Sequence, residues 1–306
     1  MEIFFVRKGE KFGTLNGVIA AVSYGTNPLF ALPLYMQGIG VNSVLFYRYS
    51  LAVLIYWVWL KFFKKVPLKL KKIEVLPLFV LGLFFSLSSL TLFDAFKYIE
   101  AGIACTILFI YPVLVALMMT IFFKEKLTLV VISSIVLTSS GIGLLYNCKT
   151  GVTLDLHGIM LVLASALLYA FYIIGVKNNK IVKNINSTKL SFYVMLFGLI
   201  VYIVNLKFCT ELQIPQMPCL WLFSLGLAIF PTIISLETIT IAIKLIGSTK
   251  TAVLGALEPL TAIFFGILFF YETLTPRIVL GIILILSGVI LIITKNKPQI
   301  KNKGAN

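Results

Sequence analysis

The sequence carries little charge. Only 12% of its 306 residues are Asp, Glu, Lys or Arg, whereas 60% are hydrophobic, and the mean hydropathy is +1.04. Soluble domains have about 25% charged and about 45–50% apolar residues. A chain with so few charges cannot cover a soluble surface, so the composition indicates an integral membrane protein.

The residues used by enzymes and metal sites are scarce. His157 is the single histidine, and the four cysteines lack metal-ligand spacing. The stretch GSTKTA at Gly247 lacks the adjacent Gly-Lys of a phosphate-binding loop, so the chain has no ATPase site. We therefore expect no enzyme activity, no cofactor and no metal. Cys209 and Cys219 flank one loop and can pair if it faces an oxidising compartment.

Long apolar segments are abundant. A membrane span needs about 20 mostly apolar residues, and ten segments meet this length, numbered here as spans one to ten: 13–35, 43–63, 75–96, 101–123, 128–146, 157–177, 190–207, 219–243, 249–270 and 276–294. The first is too long for the core of a cleaved leader. The sequence therefore predicts an all-α protein with ten transmembrane helices.

The net charge of +15 follows the predicted loops. With the N-terminus inside, 21 of the 26 lysines and arginines fall on the inner side, whereas only four fall outside: Lys97, Lys149, Lys207 and Arg277. This bias predicts that both termini are cytoplasmic in a multi-pass protein of the bacterial inner membrane. The basic charge is a topology signal, with contact to anionic lipid, and does not indicate nucleic acid.

The two halves of the sequence are similar. FFKEKLTLVVISSIVLTSSGIGLL recurs 147 residues later as FFYETLTPRIVLGIILILSGVILI. The same offset aligns Glu125 with Glu272 and Pro112 with Pro259. Each half holds five spans, an odd number, so the second half must enter the membrane from the opposite side. Inverted repeats are typical of secondary transporters.

This repeat predicts four parts of the chain. Residues 1–12 are a cytoplasmic N-terminal segment and residues 295–306 are a basic cytoplasmic tail. Between them lie the first five-helix repeat, at 13–147, and the second, at 148–294.

Two segments resemble the drug/metabolite transporter superfamily, specifically its EamA-type family. They are LFIYPVLVALMMTIFFKEKLTLVVISSIVLTSSGIGLL at 108–145 and ALEPLTAIFFGILFFYETLTPRIVLGIILILSGVILI at 256–292. The resemblance covers about 13–294 and implies export of amino acids or similar small metabolites by alternating access, often coupled to protons. It also implies that spans one to four and six to nine line the cavity, while five and ten pack outside.

Other functions stay open at this point. A drug or nucleoside/nucleotide-sugar transporter has the same fold, and a membrane channel or a non-transport membrane protein is the alternative of a different class. The expected partners are a small-molecule substrate and the lipid bilayer. A monomer and a homodimer are both compatible with the sequence.

Four ionisable residues lie within predicted spans: Arg48, Asp94, Glu237 and Glu258. Inserting a charged side chain at the centre of a membrane helix costs about 2.5–3.5 kcal/mol of free energy. Glu258 is the most central, and it either carries a proton or an ammonium group or only locks two helices together. Tyr111 is its equivalent in the first half, so the acid belongs to one half only.

The remaining candidates each have a structural alternative. Pro112 and Pro259 recur in both halves, so we expect them to kink the scaffold. Asn27, beside Pro28, lies in the first span, where a broken helix can expose backbone groups. Arg48 either snorkels to the surface or pairs with an anionic substrate group.

Two acids lie near helix ends and can form ion pairs there. Glu237 is either a site residue or the neighbour of Lys244 at the cytoplasmic end. Asp94 is either a site residue or the partner of Lys97 at the outer interface.

Overall fold

The structure, a computed structural model, describes residues 2–65, 67–95, 98–99, 104, 107–145, 155–270 and 275–295, and every regular element in this part is helical. The α-helices are α1 (Glu2–Tyr24), α2 (Asn27–Met36), α3 (Val41–Val58), α4 (Lys72–Ala95), α5 (Tyr111–Phe123), α6 (Leu129–Leu145), α7 (Leu156–Asn178), α8 (Ser187–Asn205), α9 (Pro218–Ala228), α10 (Ser235–Ile246), α11 (Ser248–Leu254), α12 (Leu257–Phe270) and α13 (Pro276–Lys295). A π-helix, Trp59–Lys64, extends α3, and a second, Ile229–Ile234, joins α9 to α10.

Eight helical stretches are long and apolar enough to cross a membrane: Gly9–Met36, Val41–Lys64, Lys72–Ala95, Leu156–Asn178, Ser187–Asn205, Pro218–Ile246, Ser248–Phe269 and Pro276–Thr294. They correspond to eight of the ten predicted spans. Spans four and five appear as the shorter apolar helices Tyr111–Phe123 and Leu129–Leu144. Most of the first part of span four lies outside the described residues, so ten spans stay a prediction.

Five helices have a proline in their first turn: Pro28 in α2, Pro112 in α5, Pro218 in α9, Pro259 in α12 and Pro276 in α13. A proline is tolerated there because the first amides of a helix have no partner within it. Each proline therefore begins a new helical segment. As a result, spans one and nine are each built from two helices, α1 with α2 and α11 with α12.

One end of the bundle, called here the lysine-rich end, is joined by charged side chains. Lys250 pairs with Glu10 at 2.6 Å, linking α11 to α1, and Lys189 pairs with Glu74 at 2.9 Å, linking α8 to α4. Lys177 Nζ donates to the carbonyl of Lys244 at 2.8 Å. These contacts show that spans one, three, seven and nine start at this end of the bundle and that spans six and eight end there.

The opposite end is joined by neutral groups. The amide N–H of Gln213 donates to Ser43 Oγ at 3.0 Å, and Asn205 Nδ2 donates to Asn42 Oδ1 at 2.8 Å. The ring of His157, at the start of α7, lies 4.8 Å from the ring of Tyr98. Cys209 and Cys219, whose pairing the sequence left open, both have free thiols in this structure.

The core lies between helices from both halves. Helix α4 packs on α7 and α8, α1 packs on α10, and α6 packs on α13. Five fully buried tyrosines contribute to this core: Tyr49, Tyr56, Tyr111, Tyr172 and Tyr202. This packing leaves the broken helices of spans one and nine side by side, because α1 and α2 both contact α12.

Candidate functional site

Glu258 lies in the first turn of α12, directly after the break in span nine. Within the described part of the chain, its carboxylate has no hydrogen bond or ion pair, and the residue is partly exposed. Tyr24 precedes Gly25, which packs on the carbonyl of Glu258, and the Tyr111 hydroxyl lies beside Gly255, so both phenols approach this turn. A carboxylate that no protein cation neutralises is available to a ligand.

Tyr111 packs against the break beside Glu258. Its hydroxyl donates to the carbonyl of Ala252 at 3.2 Å, and its ring meets the ring of Tyr169 edge to face at 4.9 Å. A Cβ atom added to Gly255 would lie 1.8 Å from the Tyr111 hydroxyl oxygen. Gly255 is therefore required by the close approach of Tyr111.

The break in span one packs on the same place. A Cβ atom added to Gly25 would lie 2.5 Å from the carbonyl oxygen of Glu258 and 2.6 Å from Cβ of Thr261. Asn27 follows as the first residue of α2, and its Oδ1 atom is buried with no hydrogen-bond partner in the described chain. The two interrupted spans thus bring polar groups of both halves together.

Arg48 lies inside the bundle, with 1% of its surface exposed. Its Nε donates to Thr232 Oγ1 at 2.6 Å, and Nη2 donates to the carbonyl of Pro231 at 2.9 Å. The snorkelling interpretation is wrong, because these acceptors in the π-helix of span eight hold the guanidinium inside. The guanidinium carbon also lies 5.6 Å from the ring centroid of Tyr24, so Tyr24 neighbours both Arg48 and Glu258.

We expect Arg48→Lys to destabilise the protein by about 1–3 kcal/mol, because one ammonium cannot reproduce both guanidinium hydrogen bonds and leaves a buried acceptor unpaired. Thermal unfolding of purified protein in detergent measures this change. Lys61→Arg, at an exposed position, is the control, and an unchanged melting temperature for Arg48→Lys would contradict this role.

Glu237 has two protein partners. Tyr56 Oη donates to Oε2 at 2.7 Å and Thr188 Oγ1 donates to Oε1 at 2.9 Å, while Lys244 donates to the carbonyl of Ile185. Glu237 therefore joins spans two, seven and eight through hydroxyl groups, and Lys244 has a different acceptor.

Asp94 lies near the end of α4. Its predicted partner Lys97 lies outside the described residues, so that pair stays a prediction. Tyr24 and Tyr169 were not among the sequence candidates. The sequence could have indicated Tyr24, because it comes three residues before Asn27 in a broken span. It could not have indicated Tyr169, which lies in an ordinary apolar helix. No metal-binding cluster occurs among the described residues.

Comparisons with known proteins identify a family and two related transporters. A model of the EamA-like transporter family matches residues 11–147 and again 156–294. The chain is 25% identical over 240 residues to "Uncharacterized transporter YxxF" of Bacillus subtilis (strain 168), which covers 76% of this chain and 74% of that protein. It is 24% identical over 239 residues to "Uncharacterized transporter YvbV" of the same organism, covering 76% of each.

A solved structure described as "Crystal structure of protein" has the same fold. The TM-score is 0.75 over 92% of this chain and 96% of that one, at 16% identity. At this identity the likeness concerns the fold alone.

Proposed function

Since this chain belongs to the EamA-like transporter family, we propose that it is a secondary transporter that exports an amino acid or a similar small metabolite by alternating access, coupled to protons. The observation that carries this proposal is the Glu258 carboxylate, which lies directly after the break in span nine and has no hydrogen-bond or ion-pair partner in the described chain.

The charges around Tyr24 suit a zwitterion. An ammonium group can pair with Glu258 and lie on the faces of the neighbouring tyrosine rings, which attract cations. Arg48 uses two N–H groups on Thr232 and Pro231, and a guanidinium has five. Tyr24 covers the guanidinium in this conformation, and a substrate carboxylate would take the place of Tyr24 on the remaining donors.

A shared carboxylate also explains the proposed coupling. Glu258 can hold either a proton or the substrate's ammonium, and intramembrane acids often serve as proton relays. If the two compete, proton entry releases the substrate and substrate binding releases the proton. The result is antiport, in which a proton moves in as the metabolite moves out.

The packing supports an inverted repeat of ten spans, with the halves at 13–147 and 148–294 and cytoplasmic termini. Span three packs on span six, and span eight packs on span one. A two-fold repeat relates span three to span eight and span six to span one, so it requires both contacts. Span one starts at the lysine-rich end, whereas His157, at the start of span six, contacts Tyr98 at the other end. Alternating access commonly uses two such halves.

The lysine-rich end is closed in this conformation. Every residue of α11 except Lys250 is buried, and Lys250 pairs with Glu10. In contrast, residues 257–260 at the start of α12 are partly exposed. We infer that the Glu258 site opens away from the cytoplasm here, and that inward opening requires α11 to leave α1.

Single-cysteine labelling tests the inverted repeat. In a variant lacking the four native cysteines, Lys126→Cys should react with a membrane-impermeant maleimide only after permeabilisation, because its turn is on the inner side. Thr273→Cys, in the equivalent turn of the second half, should react in intact cells. Reaction of both from the same side would refute the inverted repeat.

Transport into proteoliposomes tests the function itself. Purified protein should give saturable uptake of at least one amino acid or small metabolite from a panel, and the uptake should respond to a pH gradient. Glu237→Gln is the variant to compare with a change at Glu258, because it alters an intramembrane carboxylate that already has two protein partners. Absence of saturable flux for every small solute would overturn the proposal.

A further inference from the structure

A groove of about 560 Å³ lies on the side of the bundle, away from Glu258. It runs between α3 and α8 and is lined by Ser50, Val53, Leu54, Trp57, Leu68, Phe192, Tyr193 and Leu196. Leu54 is 58% exposed and Trp57 is 38% exposed, so the groove opens outward, where lipid surrounds a membrane protein. Its lining is apolar apart from Ser50, the tyrosine hydroxyl and the indole N–H of Trp57.

The lysine-rich end of the groove is fixed in place. The Tyr193 hydroxyl donates to the carbonyl of Leu68, and Lys189 Nζ donates to the carbonyl of Lys69 at 2.8 Å. Lys189 also pairs with Glu74 at 2.9 Å. These bonds tie the segment between α3 and α4 to α8, so the groove is formed before any ligand enters.

Lys61 lies at this end of the groove beside the lining residue Trp57, and Lys64 follows three residues later in the same π-helix. The Lys61 ammonium is 4.7 Å from the centroid of a Trp57 ring, and the Lys64 ammonium is 4.9 Å from a Trp59 ring. In the described part of the chain, neither lysine pairs with a carboxylate. Positive charge is therefore available beside an apolar groove at the membrane surface.

We propose that this groove binds an anionic phospholipid, with one acyl chain along α3 and α8 and the phosphate on Lys61 and Lys64. The apolar lining suits a hydrocarbon chain, and unpaired lysines at the headgroup level attract anionic lipid. A second copy of this chain is a poorer occupant, because it would bring the same lysines towards each other without an acid between them. The site does not depend on the proposed transport.

Tryptophan quenching by brominated lipids tests the site. In a variant with Trp57 as the single tryptophan (Trp59→Phe, Trp221→Phe), phosphatidylglycerol with brominated acyl chains should quench more strongly than equally brominated phosphatidylcholine. Two lysines at about fivefold each give a preference of about twenty-fivefold. Lys61→Gln with Lys64→Gln should remove the preference.

Two controls make the result specific. A variant with Trp221 as the single tryptophan, in α9, should show no lipid preference. Lys180→Gln, an exposed lysine in the link between α7 and α8, should keep the preference at Trp57. Equal quenching of Trp57 by the two lipids, or a preference that survives loss of Lys61 and Lys64, would overturn the proposal.

Discussion

Glu258→Gln is expected to abolish proton-driven accumulation of the transported metabolite while the protein still inserts and folds. Glutamine keeps the size and hydrogen-bonding capacity of the side chain but can neither carry the negative charge nor exchange a proton. Losing a hydrogen bond to a charged group costs about 1.5–3 kcal/mol, so substrate affinity should fall by about tenfold to a hundredfold. Uptake into proteoliposomes with and without a pH gradient measures both effects.

The control for this variant is Glu74→Gln. It makes the same chemical change at the lysine-rich end, where Glu74 pairs with Lys189, and it should leave proton-driven accumulation intact. Normal accumulation by Glu258→Gln, at equal amounts of inserted protein, would reduce Glu258 to a packing residue.

Gly255→Ala is expected to destabilise the protein and disturb the site together, because a methyl group there would lie 1.8 Å from the Tyr111 hydroxyl oxygen. Tyr111 would have to move, which breaks its hydrogen bond to Ala252 and displaces the ring beside Glu258. Overpacking of this kind costs about 1–3 kcal/mol. Thermal unfolding in detergent and substrate uptake should both decline.

Two further variants make this prediction specific. Gly143→Ala places a methyl group where no atom lies within 4 Å and should change neither stability nor uptake. Adding Tyr111→Phe to Gly255→Ala removes the clashing oxygen and should recover part of the lost stability. Equal melting temperatures for Gly255→Ala and the unchanged protein would show that Tyr111 does not need this glycine.

The sequence predicted most of the fold because the bilayer leaves few choices. A spanning segment must satisfy its backbone internally, so an apolar stretch of sufficient length is a helix. Eight of the ten predicted spans are present with this length and character. The first helix begins at Glu2, before the predicted start of span one at residue 13, and the cytoplasmic segment at 1–12 stays a prediction.

The site was predicted less completely, for a physical reason. Glu258 and Tyr111 could be found because charge and repeat position are visible in the sequence. The internal role of Arg48 could not, because its acceptors belong to span eight, more than 180 residues away. Contacts of that kind depend on which helices are neighbours, and hydropathy does not report this.

Proton movement driven by the substrate tests the central claim most directly. Proteoliposomes are loaded with the transported metabolite and a pH-sensitive dye, then diluted into metabolite-free buffer at the same pH. Antiport through Glu258 predicts that efflux acidifies the interior, and that Glu258→Gln removes this acidification. Efflux of the metabolite without any change of internal pH would contradict the account.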